Sequence, residues 1–272
     1  MKRAFLIESG ARGKILALGE LYRFRELFAF LAWRDVKVRY KQTLLGVGWA
    51  VLQPLLNMLI FTLLFSRIAH VPTEGIPYPL FALSGLAPWM YAVNAVTFAS
   101  NSLVADASLI RRVYFPKILL PLANAASGLV DFCVSCLLLA AALIFWQTAP
   151  GWPILCFPLW IALLFCAAAG PALLLAALNA LYRDVKYIVP FFMQVWLFIT
   201  PVAYPLSALP EKVQLFFALN PMVAVVELGR WMLLGLPPNE AACALSTLSA
   251  ALLLAAGLLY FRKMERHFAD VI

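Results

Sequence analysis

Asp131 is the only charged residue between Ile118 and Tyr182. A carboxylate at membrane depth is costly, and it persists only beside a polar cavity or a partner. Asn124, Ser127, Asp131 and Ser135 recur at i, i+3, i+7 and i+11, which is one face of a helix. Two readings fit that stripe. It lines a pathway, or it bonds one helix to another, helped by small residues such as Gly128. A proton relay would need a second carboxylate in the core of another span, and none is visible.

Covalent chemistry has little to work with. Gly10-Ala11-Arg12-Gly13-Lys14-Ile15 has the wrong spacing for a phosphate-binding loop and lacks its hydroxyl. Histidine occurs only as His70 and His267, outside the apolar runs, so a serine–histidine protease is not expected. Cys133, Cys136, Cys156, Cys166 and Cys243 lie in apolar stretches with no paired-ligand spacing, and free buried thiols are the expectation. No metal site, cofactor or catalytic residue is expected in this chain. Uphill transport would draw its energy from another subunit.

The elements that hold these residues follow from composition. The chain has 272 residues, 64% apolar and only 12% charged. Soluble domains run near 45–50% apolar and about 25% charged. A soluble fold of this size would leave large apolar patches in water. An outer-membrane barrel would alternate polar and apolar residues, whereas these runs are unbroken. The class is all-α and polytopic. Spans are expected near 44–66, 78–104, 118–147, 153–178, 187–204 and 241–261. Ala149-Pro150-Gly151-Trp152-Pro153 divides the third from the fourth, and no leader with a cleavage site is expected at the start.

Residues 205–240 are different. Five prolines and the charges of Glu211, Lys212, Glu227 and Arg230 cut this region into apolar pieces of about 14 residues, too short to cross. A re-entrant hairpin is expected. The net charge of +8 is read first by side, since Lys and Arg collect on the cytoplasmic face; no nucleic-acid partner is inferred from it. With both ends inside, 18 Lys/Arg fall in cytoplasmic segments and three outside: Arg67, Lys212 and Arg230. That asymmetry favours six spans with the hairpin facing outward. No internal repeat supports an inverted-repeat transporter.

Before the first span, Leu21, Phe24, Leu27, Phe28 and Leu31 recur at helical spacing, with Arg23, Arg25, Glu26 and Arg34 on other faces. This reads as an interfacial helix in the headgroup plane. It continues into Arg34, Asp35, Lys37, Arg39 and Tyr40, a basic anchor or a docking face. Between the second and third spans, Leu109, Ile110, Arg111, Arg112, Tyr114 and Phe115 form a short helix that Ser102 or Asp106 could cap and Pro116 would end. Its exposed apolar residues suit a partner's groove. Trp89, Trp146, Trp152, Trp196 and Trp231 fall near span ends, where belt residues are expected.

Several motifs together resemble the permeases of ABC-2 type polysaccharide exporters, the family serving O-antigen, capsule and teichoic acid export. They are Trp33 to Pro54, Leu109 to Lys117, Tyr182 to Tyr187, Thr200-Pro201-Val202-Ala203-Tyr204-Pro205, Asn220-Pro221-Met222, and the tail Glu265 to Ile272. The resemblance implies a homodimer of six-span subunits with two copies of a separate ATPase that holds ATP-Mg. It implies that 21–41 is the interface helix and 106–115 the coupling helix on the ATPase. Residues 205–238, with Tyr204, Pro205, Pro210, Asn220 and Pro221, would form outward gate helices. The cargo would be a lipid-linked polysaccharide crossing the inner membrane, and the tail resembles Gram-negative members. The alternatives are a permease of the same superfamily for a smaller lipid or drug, and a membrane glycosyltransferase, against which the short loops argue.

Overall fold

The computed structural model describes residues 22–41 and 47–268. The first 21 residues of the interface region, the expected start of the first span at 44–46 and the tail after Phe268 lie outside these. Every regular element among the described residues is helical. In hydrocarbon the backbone has no water to bond, so a chain this apolar closes its hydrogen bonds within helices.

The helices are α1 (Arg25–Tyr40), α2 (Val47–Phe61), α3 (Tyr78–Ala105), α4 (Ala107–Arg112), α5 (Leu119–Phe145), α6 (Phe157–Leu181), α7 (Val185–Ile199), α8 (Glu211–Phe217), α9 (Pro221–Leu234) and α10 (Glu240–Glu265). A π-helical stretch, Thr62–Ile68, extends α2, and a 3₁₀ turn, Trp152–Cys156, leads into α6. Five segments are long and apolar enough to cross a bilayer: Gly48–Ile68, Tyr78–Ala105, Leu119–Phe145, Trp152–Leu181 and Glu240–Glu265. Four match the expected first to fourth spans and one the sixth.

The expected fifth span, 187–204, is corrected. Its helix, α7, has 15 residues and stops at Ile199. Thr200 precedes Pro201, whose ring disfavours helical backbone at the residue before it, and Thr200 is extended at ψ 130°. Residues 200–204 form a buried turn instead. Beyond it, α8 and α9 make a sharp elbow of 110°. The expected apolar piece Val213–Val226 is divided here: α8 has 7 residues and α9, with 14, starts afresh at Pro221.

α3 is the central helix, buried along 78% of its most apolar stretch against 11% for the first span. α6 and α10 approach closest. A methyl added at Gly170 would stand 2.7 Å from the backbone nitrogen of Leu254, and one at Gly257 would collide with the carbonyl of Gly170. Small residues let membrane helices come this near, where packing rather than the hydrophobic effect holds them.

Three expectations about side chains change. Trp89 and Trp196 are buried and meet edge to face at 5.9 Å, so they are core and not belt. Trp152, which meets Trp231 at 5.8 Å, remains exposed. The cysteines are free as expected, but only Cys243 is buried, and Cys133 and Cys156 are exposed. α4 is not capped by a side chain: Asp106 uses its carboxylate elsewhere, and the hydroxyl of Ser102 donates to Ala99. The helix also ends before Pro116, at Arg112, where Val113 turns extended.

Candidate functional site

Most of the candidate residues gather at the two ends of the bundle, and Asp131 lies near the middle of α5. At the basic end, the chain around α1 and α4 folds onto the ends of α5 and α10. Leu31, Phe115, Ile118, Leu119, Phe261 and Phe268 form one buried cluster, with Phe24, Leu27 and Phe28 packed against it. The expected apolar face of the interface helix is real, but it meets protein. Lys117 donates its backbone N–H to Glu265 at 2.9 Å, joining the start of α5 to the end of α10.

Phe115 corrects the reading of the 105–117 loop. It was expected exposed beside Tyr114, yet it is 6% exposed and anchors the loop, whereas Tyr114 is 86% exposed. Leu109 and Ile110 are packed against the same cluster. The end of α4 and the residues after it, Arg111, Arg112, Val113 and Tyr114, are exposed.

Two ion-pair sites hold α1. Arg34 forks onto Asp106, Nη1 to Oδ1 at 3.0 Å and Nη2 to Oδ2 at 2.7 Å, while its Nε donates to Asp35 at 2.9 Å. Bidentate charge-assisted bonds of this kind fix geometry as well as charge. Burial pulls the Arg34 pKa down, but the hydrogen bonds to Asp106 and Asp35 outweigh it and the net shift is up. Burial also lifts the Asp35 carboxyl above its ordinary range, more than Arg34 lowers it.

Further along α1, Arg39 and Tyr40 both donate to the carboxylate of Asp131. Arg39 also donates to Ser127 at 3.2 Å and lies 4.8 Å above the ring of Phe98. Asp131 thus has a partner in the chain. Of the polar stripe on α5, Ser127 and Asp131 join α1, while Asn124 and Ser135 bond back to carbonyls of Leu120 and Asp131 in their own helix. The interhelical reading fits Ser127 and Asp131 alone. Lys37 is exposed, 5.8 Å from the ring of Trp33.

The proline-rich end is built around a residue that the sequence reading counted among the outer charges. Arg230 on α9 is 2% exposed. Its Nη1 donates to the carbonyl of Pro201 at 2.8 Å and its Nη2 to that of Val202 at 2.7 Å. The guanidinium sits 3.7 Å above the ring of Phe81, and Glu227 lies 3.8 Å away. Tyr78 donates to Ala203 at 2.8 Å. The non-helical turn after α7 therefore has its carbonyls satisfied inside the protein, as irregular backbone at membrane depth requires. The signal was available: a lone cation in the apolar run from Pro221 to Leu234 needs acceptors.

The expected gate residues surround this latch. Tyr204 donates to Phe198 at 2.8 Å, Pro205 precedes a 3₁₀ turn at Leu206–Ala208, and Pro210 precedes α8. Asn220 caps α9, accepting from Met222 at 2.9 Å, with Pro221 at the first helical position. Its amide also donates to Thr200 at 2.8 Å, tying the elbow to the turn. A cavity of about 370 Å³ adjoins Arg230, lined in part by Glu74, Gln214, Glu227 and Asn239. Its polar groups bond one another, Ser207 to Glu74 and Asn239 to Gln214, each at 2.7 Å.

Comparison with known proteins follows this layout. The chain is 32% identical over 258 residues to the O-antigen export system permease protein RfbA of Myxococcus xanthus, covering 93% of this chain and 98% of that protein. It is 25% identical over 256 residues to a protein of the same name from Klebsiella pneumoniae, covering 94% and 97%. It is 25% identical over 200 residues to the polysialic acid transport protein KpsM of Escherichia coli, covering 72% and 77%. A family model described as ABC-2 type transporter matches residues 26–234, from the first turn of α1 to the last residue of α9 and so through both ends of the bundle. The chain belongs to the ABC-2 type transporter family.

Proposed function

We propose that this chain is the membrane permease of an ATP-driven exporter that moves a lipid-linked polysaccharide of O-antigen type from the cytoplasmic side across the inner membrane. The observation that carries this reading is near full-length similarity to proteins named as O-antigen export permeases. Two copies work with two copies of a separate ATPase, which holds ATP-Mg and does the hydrolysis. The basic end faces the cytoplasm, with both termini there. Residues 205–240 enter the membrane from outside as a gate, latched by Arg230. Deleting the gene in its host tests the function. Surface polysaccharide should disappear while lipid-linked glycan accumulates inside, and a plasmid copy should restore export; unchanged surface polysaccharide would overturn the reading.

The coupling surface has a sharper test. Arg111 and Arg112 are exposed on α4 beside Tyr114. Reversing both charges, or truncating Tyr114 to Ala, should leave the protein inserted while export falls by about tenfold or more, the size of a lost coupling energy of 1–3 kcal/mol. Phe115→Ala should instead lower the yield of folded protein, since it opens a cavity in the buried cluster at about 3 kcal/mol. Wild-type export from the charge-reversed protein would remove α4 from the ATPase contact.

Sidedness is read directly by labelling. In a background lacking the native thiols, single cysteines at Glu211 and at Lys263 are treated with an impermeant maleimide after permeabilising the outer membrane. Position 211 should label and 263 should not. Labelling of both, or the reverse pattern, sinks the six-span topology.

A further inference from the structure

We propose that α1 is a strut that carries movement of α4 to the middle of α5, with Arg34 and Arg39 as its two pins. The proposal rests on the reading of α4 as the ATPase-facing helix.

The covalent connections of α4 reach only helix ends. One residue, Asp106, joins it to the end of α3, and residues 113–118 join it to the start of α5. A push on α4 through these links acts at the rim of the bundle. α1 offers another route. Arg34 grips Asp106 at the first turn of α4 with two parallel bonds, 3.0 and 2.7 Å. Five residues on, about 7.5 Å along the same helix, Arg39 is bound to Asp131 and Ser127. Asp131 lies 12 residues beyond Leu119, about 18 Å into α5. The strut thus delivers its force near the midpoint of α5, where it tilts the helix instead of shifting its end.

Both pins resist sliding. Arg34 is held by Asp35 as well as Asp106, and Arg39 is held from below by the ring of Phe98. Between them runs unbroken helix, stiff over this length and buried at Val36. A mere basic anchor would need neither carboxylate. Lys37, one turn from Arg34, is exposed, 5.8 Å from the ring of Trp33.

The test uses the full permease co-expressed with its ATPase, reading complex yield, ATP hydrolysis and export separately. Arg34→Gln and Asp131→Asn should each keep the yield and the hydrolysis but cut export by about tenfold. Lys263→Gln, at an exposed cation near the end of α10, should change none of the three. Because the pins act in series, the double variant should export no less than the worse single variant; multiplied losses would overturn the strut. A tether gives the second reading. Arg34→Cys with Asp106→Cys, in a background lacking the native thiols, should lose export. A short bis-methanethiosulfonate linker should restore it, and reductant should remove it again. Full export before the linker is added, or none after it, overturns the proposal. Loss of the ATPase from the complex would instead count against α4 as its contact.

Discussion

Gly257→Val should lower the thermal midpoint of the detergent-purified protein by about 6–12 °C, and Gly257→Ala by less. The cause is steric. Any β-carbon at Gly257 meets the carbonyl of Gly170, and that backbone belongs to α6 within its own helical ladder, so it cannot turn aside. The helices must separate, as in an overpacked core, at about 3 kcal/mol. In a chain of this size each kcal/mol moves the midpoint by roughly 2–4 °C. Gly48→Ala is the control, because a methyl there meets nothing within 4 Å. Its midpoint should hold or rise slightly, since alanine is the better helix former. Thermal unfolding followed by size exclusion reads both. An unmoved midpoint in Gly257→Val would mean that α6 and α10 do not touch.

Arg230→Met should cost a similar amount and should also open the turn after α7. The methionine keeps an apolar stem over Phe81 but removes the donors to Pro201 and Val202. Each orphaned buried carbonyl costs about 1–3 kcal/mol, and Glu227 loses its neighbouring cation. Relief from burying a guanidinium offsets part of this, leaving a net loss of about 3 kcal/mol. Arg230→Lys should recover little, because a single ammonium cannot reproduce the planar fork that reaches two carbonyls. The opening is read at Val202, which is fully buried. A cysteine placed there (Val202→Cys) should resist maleimide with Arg230 present and react with Arg230→Met. Protection in both backgrounds would show that the turn holds without its latch.

What the sequence made legible was local. Asn220-Pro221 carried a helix-start signal that the reading of 205–240 left unused: a side-chain acceptor followed by a residue without N–H suits the first turn alone. Long uncharged runs announce spans. Asp131 announced that something polar must meet it. The identity of that partner was not readable, because Arg39 lies 92 residues away and periodicity names a face without naming its neighbour. Phe115 shows the same limit: a short loop carrying Tyr114 and Phe115 gives no sign of which ring turns inward. Arg230 was lost to a different cause. Counting it among outer charges treated an isolated cation as a solvated one, although the apolar residues on both sides argued for burial.

The early end of α7 has a consequence for the lipid around it. Its 15 residues give about 22 Å of helix, against a hydrocarbon core of about 30 Å. Phe191, Phe192, Val195 and Phe198 are exposed along it and must be covered by acyl chains or by another apolar surface. Where acyl chains meet them, the two leaflets are drawn together, because a short apolar segment thins the bilayer beside it. On a flank left to lipid, the short helix would put a dimple in the bilayer beside the longer spans.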